Sequence, residues 1–200
     1  MNYTENLKIE YGGIECGYIS LKFKKDNKNF EIICDELLND PIPQLVNFFV
    51  NIKSGKDCVE NFDEMYPNEK IFCLSARHFD DKIFLEAKIY KHNIIFNEIY
   101  YKNDLIMMLK KIFTDLLNDK YFPYSFPCFW YLLEDIDDKF QDSVEEELEK
   151  LYPEWNYGDI INYAVAKGKF RVSQENKIYI ENYKKMLTEY IIPEKCFERE

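Results

Sequence analysis

Histidine, the side chain that most often binds metal ions, is scarce in this chain. Only two histidines occur, His78 and His92. His78 continues the alternation of Leu74 and Ala76 along a predicted strand, and His92 falls in a predicted turn. No cysteine or carboxylate stands at the tight spacing from them that a zinc site uses. Pairs of adjacent acids could touch Mg²⁺ or Ca²⁺, but the EF-hand pattern is absent. We predict no metal site.

Nucleophilic catalysis also lacks a supporting pattern. Cys73 and His78 are five residues apart on one predicted strand, roughly 16 Å, and point to opposite faces, so they cannot form a dyad within it. Neither G-x-S-x-G nor C-x-x-C occurs among the 200 residues. We expect the six cysteines to be reduced, mostly buried thiols.

Phosphate binding and carboxylate chemistry receive no specific support either. Gly12-Gly13 is the only adjacent glycine pair, and neither G-x-G-x-x-G nor a P-loop is present. With 37 acidic residues, a pair of carboxylates across some cleft is certain and carries no information about glycosidase-type chemistry. We therefore predict no cofactor and no catalytic residue, and we expect a protein that is not an enzyme.

The acidic segment, residues 134–149, is the most distinctive feature of the sequence. It holds nine acids and one lysine, a net −8 out of −11 for the whole chain. Its apolar residues Ile136, Phe140, Val144 and Leu148 recur every four positions, which predicts a helix with acids on its other side. Two interpretations stay open: a solvated helix face with acids near a helix N-terminus, and a docking surface that steers a basic partner.

Two tryptophans flank the acidic segment. Aromatic side chains beside a charged patch are typical of binding hot spots, and they are equally typical of an ordinary core. The candidate partner-binding residues are Glu134, Asp135, Asp137, Asp138, Asp142, Glu145, Glu146, Glu149, Trp130 and Trp155.

Length and composition restrict the classes of protein. The 200 residues, 46% apolar and 17% aromatic, suffice for one folded domain with a real core. The net charge of −11 disfavours direct binding to nucleic acid or to an anionic membrane. The N-terminus has no apolar signal segment and no apolar run could span a bilayer, so we expect a cytoplasmic protein. The strong preference for Lys over Arg is typical of an AT-rich bacterial or phage genome.

Hydrophobic periodicity predicts the elements that position these residues. Alternation predicts strands at 14–24, 30–34, 70–78, 82–90 and 93–101. Helical spacing predicts one helix between Asp40-Pro41 and Gly55 and others at 103–118, 142–151, 157–167 and 174–191. Asp40, Asn103 and Ser173 are the predicted caps, with capping boxes at Asp142 and Ser143.

These elements predict an α+β fold. We expect an antiparallel β-meander sheet with helices packed on one face, plus a helical C-terminal region. Residues 1–119 would form the sheet and two amphipathic helices, and residues 120–200 a helical region packed on them, together one compact domain. The aromatic stretch 121–131, with two prolines, would be the seam between the two.

The segment EKIFCLSARHFDDKIFLEAKIYKHNIIFNEIYYKNDLIMMLKKIF, residues 69–113, is a meander that runs into an amphipathic helix. In a small, acidic chain it resembles the core of several immunity-protein families of bacterial toxin systems. The resemblance rests on layout and composition and assigns no residue a role by position. It implies a rigid acidic protein that blocks the basic cleft of a nuclease or other toxin.

The sequence therefore favours a non-catalytic, immunity-like inhibitor that binds a basic toxin or nuclease through its acidic segment. One alternative is a phage-encoded nucleic-acid mimic of the anti-CRISPR type. Another is an enzyme of an unrecognised class, which would require a cleft with buried, pKa-shifted carboxylates.

Overall fold

The computed structural model describes residues 7–15, 17–35, 40–64, 70–89, 94–134, 138–152, 154–155 and 157–191. The strands are β1 (Lys8–Glu15), β2 (Tyr18–Lys25), β3 (Lys28–Asp35), β4 (Cys58–Glu64), β5 (Lys70–Phe79), β6 (Lys82–Ile89) and β7 (Ile94–Tyr101). The helices are α1 (Pro41–Lys53), α2 (Lys102–Leu117), α3 (Phe129–Glu134), α4 (Asp138–Leu151), α5 (Tyr157–Ala166) and α6 (Gln174–Ile191).

The strands form two antiparallel meanders, β1-β2-β3 and β4-β5-β6-β7. The α+β class and the meander order are confirmed, although the strands divide into two sheets where we predicted one. Phe23 of the three-stranded sheet and Phe72 of the four-stranded sheet have ring centroids 4.6 Å apart. The two sheets therefore share one core, which α1 and α2 complete by packing against β4 and β1.

The predicted strand 14–24 is in fact a hairpin. Glu15 of β1 pairs with Tyr18 of β2, and Gly17 between them has a φ of 84°. Glycine adopts this left-handed conformation without a steric penalty, so the chain can reverse here without a polar turn. The Gly17 amide donates to the Ser125 carbonyl at 2.7 Å, which ties the turn to the aromatic stretch.

The Gly12-Gly13 pair forms a bulge in β1. The pairing register with β2 shifts between Tyr11 and Gly13, and Gly13 has a φ of 124°. A Cβ atom on Gly12 would lie 1.7 Å from the Oγ of Ser20 on the neighbouring strand. The glycine pair is thus explained by strand geometry.

The four-stranded sheet agrees closely with the sequence pattern. Its last three strands end within one residue of the predicted bounds, and Ile83, Leu85 and Ala87 of β6 face the core as expected. Strand β4 was missed, because only Phe62 of its seven residues is a buried large apolar residue.

Cap predictions succeed for α1 and α6 and fail for α2. The Asp40 carboxylate accepts a hydrogen bond from the Ile42 amide at 3.0 Å, and Ser173 accepts one from the Asn176 amide at 3.1 Å. Helix α2 begins directly after β7, so its N-cap is Tyr101 and no side chain caps it. The predicted cap Asn103 lies inside the first turn.

The C-terminal region packs on the sheets through its own apolar residues. Tyr183 and Leu187 of α6 belong to the main core, as does Phe126 of the aromatic stretch, while Phe129 belongs to a second cluster with residues of α5 and α6. The predicted seam at 121–131 therefore joins two clusters. The division between residues 1–119 and 120–200 stays a prediction.

Candidate partner-binding site

Helix α4 carries most of the described part of the acidic segment. It begins at Asp138, four residues before the predicted start, so the capping boxes at Asp142 and Ser143 are wrong because both residues lie inside the helix. Val144 and Leu148 are fully buried and form a small cluster with Ile160 and Ala164 of α5. The apolar side of α4 is thus fixed against α5, and this fixes the direction in which its acids point.

Three carboxylates form one exposed row on α4, which we call the acidic face: Asp142, Glu146 and Glu149. At about 100° per residue they fall within about 60° of each other, opposite Val144 and Leu148. Glu146 lies 4.0 Å from Lys150, and both side chains are 74% exposed. Such a solvated pair contributes well under about 1 kcal/mol, so the face stays strongly negative.

The other acids of α4 have different surroundings. Glu145 accepts a hydrogen bond from Gln141 at 2.8 Å. Glu147 pairs with Lys169 and accepts a hydrogen bond from the Tyr163 hydroxyl at 3.1 Å. The Lys169 contact lowers the pKa of Glu147, which keeps this carboxylate charged, and the Tyr163 hydrogen bond ties α4 to α5.

A groove of about 680 Å³ opens beside the C-terminal end of α4. Its lining includes Leu148, Leu151, Tyr152, Trp155, Asp159 and Tyr163. Leu151 and Tyr152 are 55% and 57% exposed. The helical spacing of Val144, Leu148 and Leu151 predicts that Leu151 is buried, and this is wrong because α4 ends at that residue, on the rim of the groove. Apolar rims of this kind are suited to contact with a partner.

Lys120, a cationic side chain of the protein itself, occupies one corner of the groove. The Nζ of Lys120 lies 3.7 Å from the Asp159 carboxylate and 4.2 Å from the centroid of the Tyr121 ring. A hydrogen bond with Tyr121, and the charge of Asp159, raise the pKa of Lys120. The corner therefore favours a positive group near an aromatic ring.

The predicted site residues are brought together only in part. Asp142, Glu146 and Glu149 share the acidic face, Glu145 lies beside it, and Trp155 is half-buried in the groove. Of the remaining candidates, the structure describes the backbone alone for Trp130, Glu134 and Asp138, and Asp135 and Asp137 lie outside the described residues.

Sequence reasoning missed the groove residues Tyr152 and Tyr163. An apolar pair placed where a helix ends, Leu151-Tyr152, was the available signal. It was overlooked because Leu151 lies three residues after Leu148, a helical spacing that assigned it to the core.

Reactive side chains elsewhere have structural surroundings. Within the described residues no group of three or more histidine, cysteine or acidic side chains could hold a metal ion. Cys34, Cys58, Cys73 and Cys128 carry thiol groups that are not joined in disulfides. Burial raises the pKa of Cys58 to about 11, the opposite of what an activated thiol requires.

Burial also raises the pKa of Asp40, to about 6. This carboxylate caps α1 and accepts a hydrogen bond from the Tyr183 hydroxyl at 3.0 Å. It is not among the residues that line the groove. A shifted pKa can mark a catalytic acid, but here it follows from a buried helix cap.

Searches against family models, curated proteins and solved structures returned no significant match. Among the helices described here, none has the length and apolarity to cross a bilayer.

Proposed function

We propose that this protein is a non-catalytic inhibitor, immunity-like, that neutralises a basic bacterial toxin or nuclease in the cytoplasm. The acidic face of α4 and the adjoining groove are the contact. The observation that carries the proposal is their adjacency: a row of exposed carboxylates beside an apolar groove with exposed Leu151 and Tyr152.

The two parts of the site would act at different stages of binding. Asp142, Glu146 and Glu149 give a concentrated negative potential, which speeds the encounter with a positively charged cleft. The groove then accepts an apolar or aromatic side chain of the toxin and removes it from water, which slows dissociation. Mutation of the acids should therefore act on the association rate, and mutation of Leu151 or Tyr152 on the dissociation rate.

The first experiment is a charge reversal. The triple variant D142K/E146K/E149K is mixed with the purified product of the adjacent gene, and association is followed by stopped-flow fluorescence. We expect the association rate constant to fall about 10-fold or more at about 50 mM NaCl. The difference should nearly disappear at about 500 mM NaCl, where the charges are screened.

The matched control is E175K/E181K/E189K on α6, three exposed acids whose reversal changes the net charge equally. Glu181 is 76% exposed and lies 3.8 Å from Lys184, much as Glu146 lies near Lys150. If both triple variants slow association alike, total charge and not the acidic face is responsible. If neither does, the acidic face is removed from the proposal.

The row of carboxylates also supports the nucleic-acid mimic as a second candidate. Asp142 to Glu149 spans about 10 Å of helix, a line of like charges comparable to a short stretch of phosphates. In that case the target is a nucleic-acid-binding protein, and duplex DNA competes with this protein for it. A toxin bound outside its nucleic-acid cleft would show no such competition.

A further inference from the structure

The outer face of the four-stranded sheet exposes large apolar side chains. Alternate residues of its strands point away from the core, and Val59, Phe79, Ile99 and Tyr101 among them are 60%, 60%, 59% and 56% exposed.

Strand register places these residues side by side. Phe84 pairs with Arg77 on one side and Ile99 on the other, and in the next row Lys82 pairs with Phe79 and Tyr101. Directly paired residues and their diagonal neighbours lie within about 8 Å of each other. Phe79, Phe84, Ile99 and Tyr101 therefore form one patch, which we call the outer patch, with Val59 near its margin.

The outer patch has the size that an interface requires. At about 100 Å² of exposed surface for each of Val59, Phe79, Ile99 and Tyr101, the apolar area is roughly 400 Å². A stable interface buries about 800 Å² per partner, and somewhat more than half of that is apolar. The patch thus supplies the apolar part of one such interface.

The charges around the outer patch nearly balance. Arg77, Lys82 and Lys88 are set against Asp57, Asp80, Asp81 and Glu86, so three positive and four negative groups give a net charge of −1, against −11 for the chain. Lys88 is already paired with Glu86 at 2.7 Å, and Lys82 lies 5.4 Å from the centroid of the Tyr101 ring. A strongly charged partner would meet no opposite charge at this surface. A second copy presents the same nearly neutral, apolar surface and therefore matches it.

The neighbouring edge strand of the sheet, β7, is partly covered. The Nζ of Lys25 donates to the Asn97 carbonyl of β7 and lies 3.3 Å from the Glu98 carboxylate. Lys25 belongs to β2 of the other sheet, so it takes up one backbone acceptor of the edge strand β7 and places a charge there, which hinders pairing with another strand. This favours contact between two copies through the sheet face over strand pairing at β7.

We propose that the outer patch is the interface of a symmetric homodimer. Each copy contributes the same surface, so the contact is closed and buries the patch of both chains. The proposal is independent of the inhibitor function, because the acidic face lies on α4 and takes no part in this contact.

Sedimentation equilibrium of the full chain tests the proposal. We expect a species of twice 24.2 kDa at micromolar concentration. Ile99→Asp should weaken the dimer by at least roughly 30-fold, the effect of losing one hot-spot residue. Raising NaCl from about 50 to about 500 mM should strengthen the wild-type dimer, because it screens the repulsion between two acidic molecules.

Ile178→Asp is the matched control, since Ile178 is 54% exposed on α6. It should leave the dimer intact. Circular dichroism verifies that each variant is folded, and Phe79→Ser replaces Ile99→Asp if the latter is not. A wild-type monomer at about 200 µM overturns the proposal and leaves the patch to a different protein. A dimer that both patch variants leave unchanged overturns it as well.

Discussion

Asp40 joins two distant parts of the chain through one carboxylate. It accepts hydrogen bonds from the Ile42 amide and from the Tyr183 hydroxyl, 143 residues away, each at 3.0 Å. Burial raises its pKa to about 6, although both hydrogen bonds act in the opposite direction. Near neutral pH the cap therefore contains an ionised carboxylate in a largely buried position, which lowers the stability of the folded protein.

This raised pKa predicts the sign of a pH effect. Between about pH 4 and pH 6 the folded protein binds more protons at Asp40 than the unfolded chain, so the stability contributed by this group falls as pH rises through that window. Asp40→Asn keeps an acceptor for Ile42 without the charge. We expect the free energy of unfolding of the variant, minus that of wild type, to increase from pH 4 to pH 7 in urea titrations.

Glu10→Gln is the control of opposite sign. A hydrogen bond from Lys24 lowers the pKa of Glu10, so its stabilisation is present above about pH 4.5 and is lost at lower pH. The free energy of unfolding of Glu10→Gln, minus that of wild type, should become more negative as pH rises. A difference for Asp40→Asn that does not change with pH would contradict the role assigned to its burial.

For single residues, the sequence predicts hydrogen-bond partners that are close along the chain and misses those that are distant. Asp40 before Pro41 predicts the cap of α1 because the acceptor and the Ile42 amide are two residues apart. The contact with Tyr183, and the pKa shift that burial beneath α6 produces, depend on tertiary packing. The same reason explains why Asn103 was wrongly assigned as a cap, since nothing local indicates that β7 continues into α2 without a break.

Among the elements, α4 shows how sharply burial can change along one helix. Leu148 is 1% exposed within the cluster shared with α5, and Leu151, one turn later, is 55% exposed. Both fit the same apolar spacing. The difference arises because α4 ends at Leu151, at the rim of the groove.

Alanine substitutions at these two leucines should therefore give unequal losses of stability. Leu148→Ala leaves a cavity and should lower the free energy of unfolding by about 2–5 kcal/mol. Leu151→Ala should change it by less than about 0.5 kcal/mol. Chemical denaturation of both variants measures the two values, and similar losses would place Leu151 in the core after all.

Strand prediction failed where the chain reverses without a polar turn. Asp26 and Asp80 mark two-residue hairpin turns with φ values of 54° and 55°, and both fall in gaps between predicted strands. The β1–β2 turn at Gly17 has no such polar signal, but the apolar alternation changes phase across it: Ile14 and Ile19, which pair across the hairpin, are an odd number of residues apart. A single strand would place them on opposite faces, so the change of phase indicates that a second strand has begun.

For the molecule as a whole, the main core connects the first and last described elements. Ile9 of β1 and Leu187 of α6 are both buried in it, 2% and 0% exposed. The charge concentration at 134–149 could be located from the sequence. The groove beside it could not, because α4, α5 and Lys120 approach one another only in the folded chain.

This shared core predicts a single cooperative unfolding transition. We expect the calorimetric and van't Hoff enthalpies to agree, per mole of the unit that unfolds. Leu187→Ala in α6 should shift the whole transition to lower temperature, because its side chain is buried in the main core to which both sheets contribute. A separate early transition that alone responds to Leu187→Ala would show that residues 120–200 fold as an independent unit.

Lys25 also affects how the protein can aggregate at high concentration. Fibril growth by strand addition needs backbone groups that are free along the rim of a sheet, and each added strand offers a new rim. By covering the Asn97 carbonyl of β7, Lys25 removes part of that template. Contact across a sheet face, in contrast, buries both surfaces and leaves none of that face for a third molecule. Assembly on this side of the molecule is therefore finite, and concentrated solutions should stay clear.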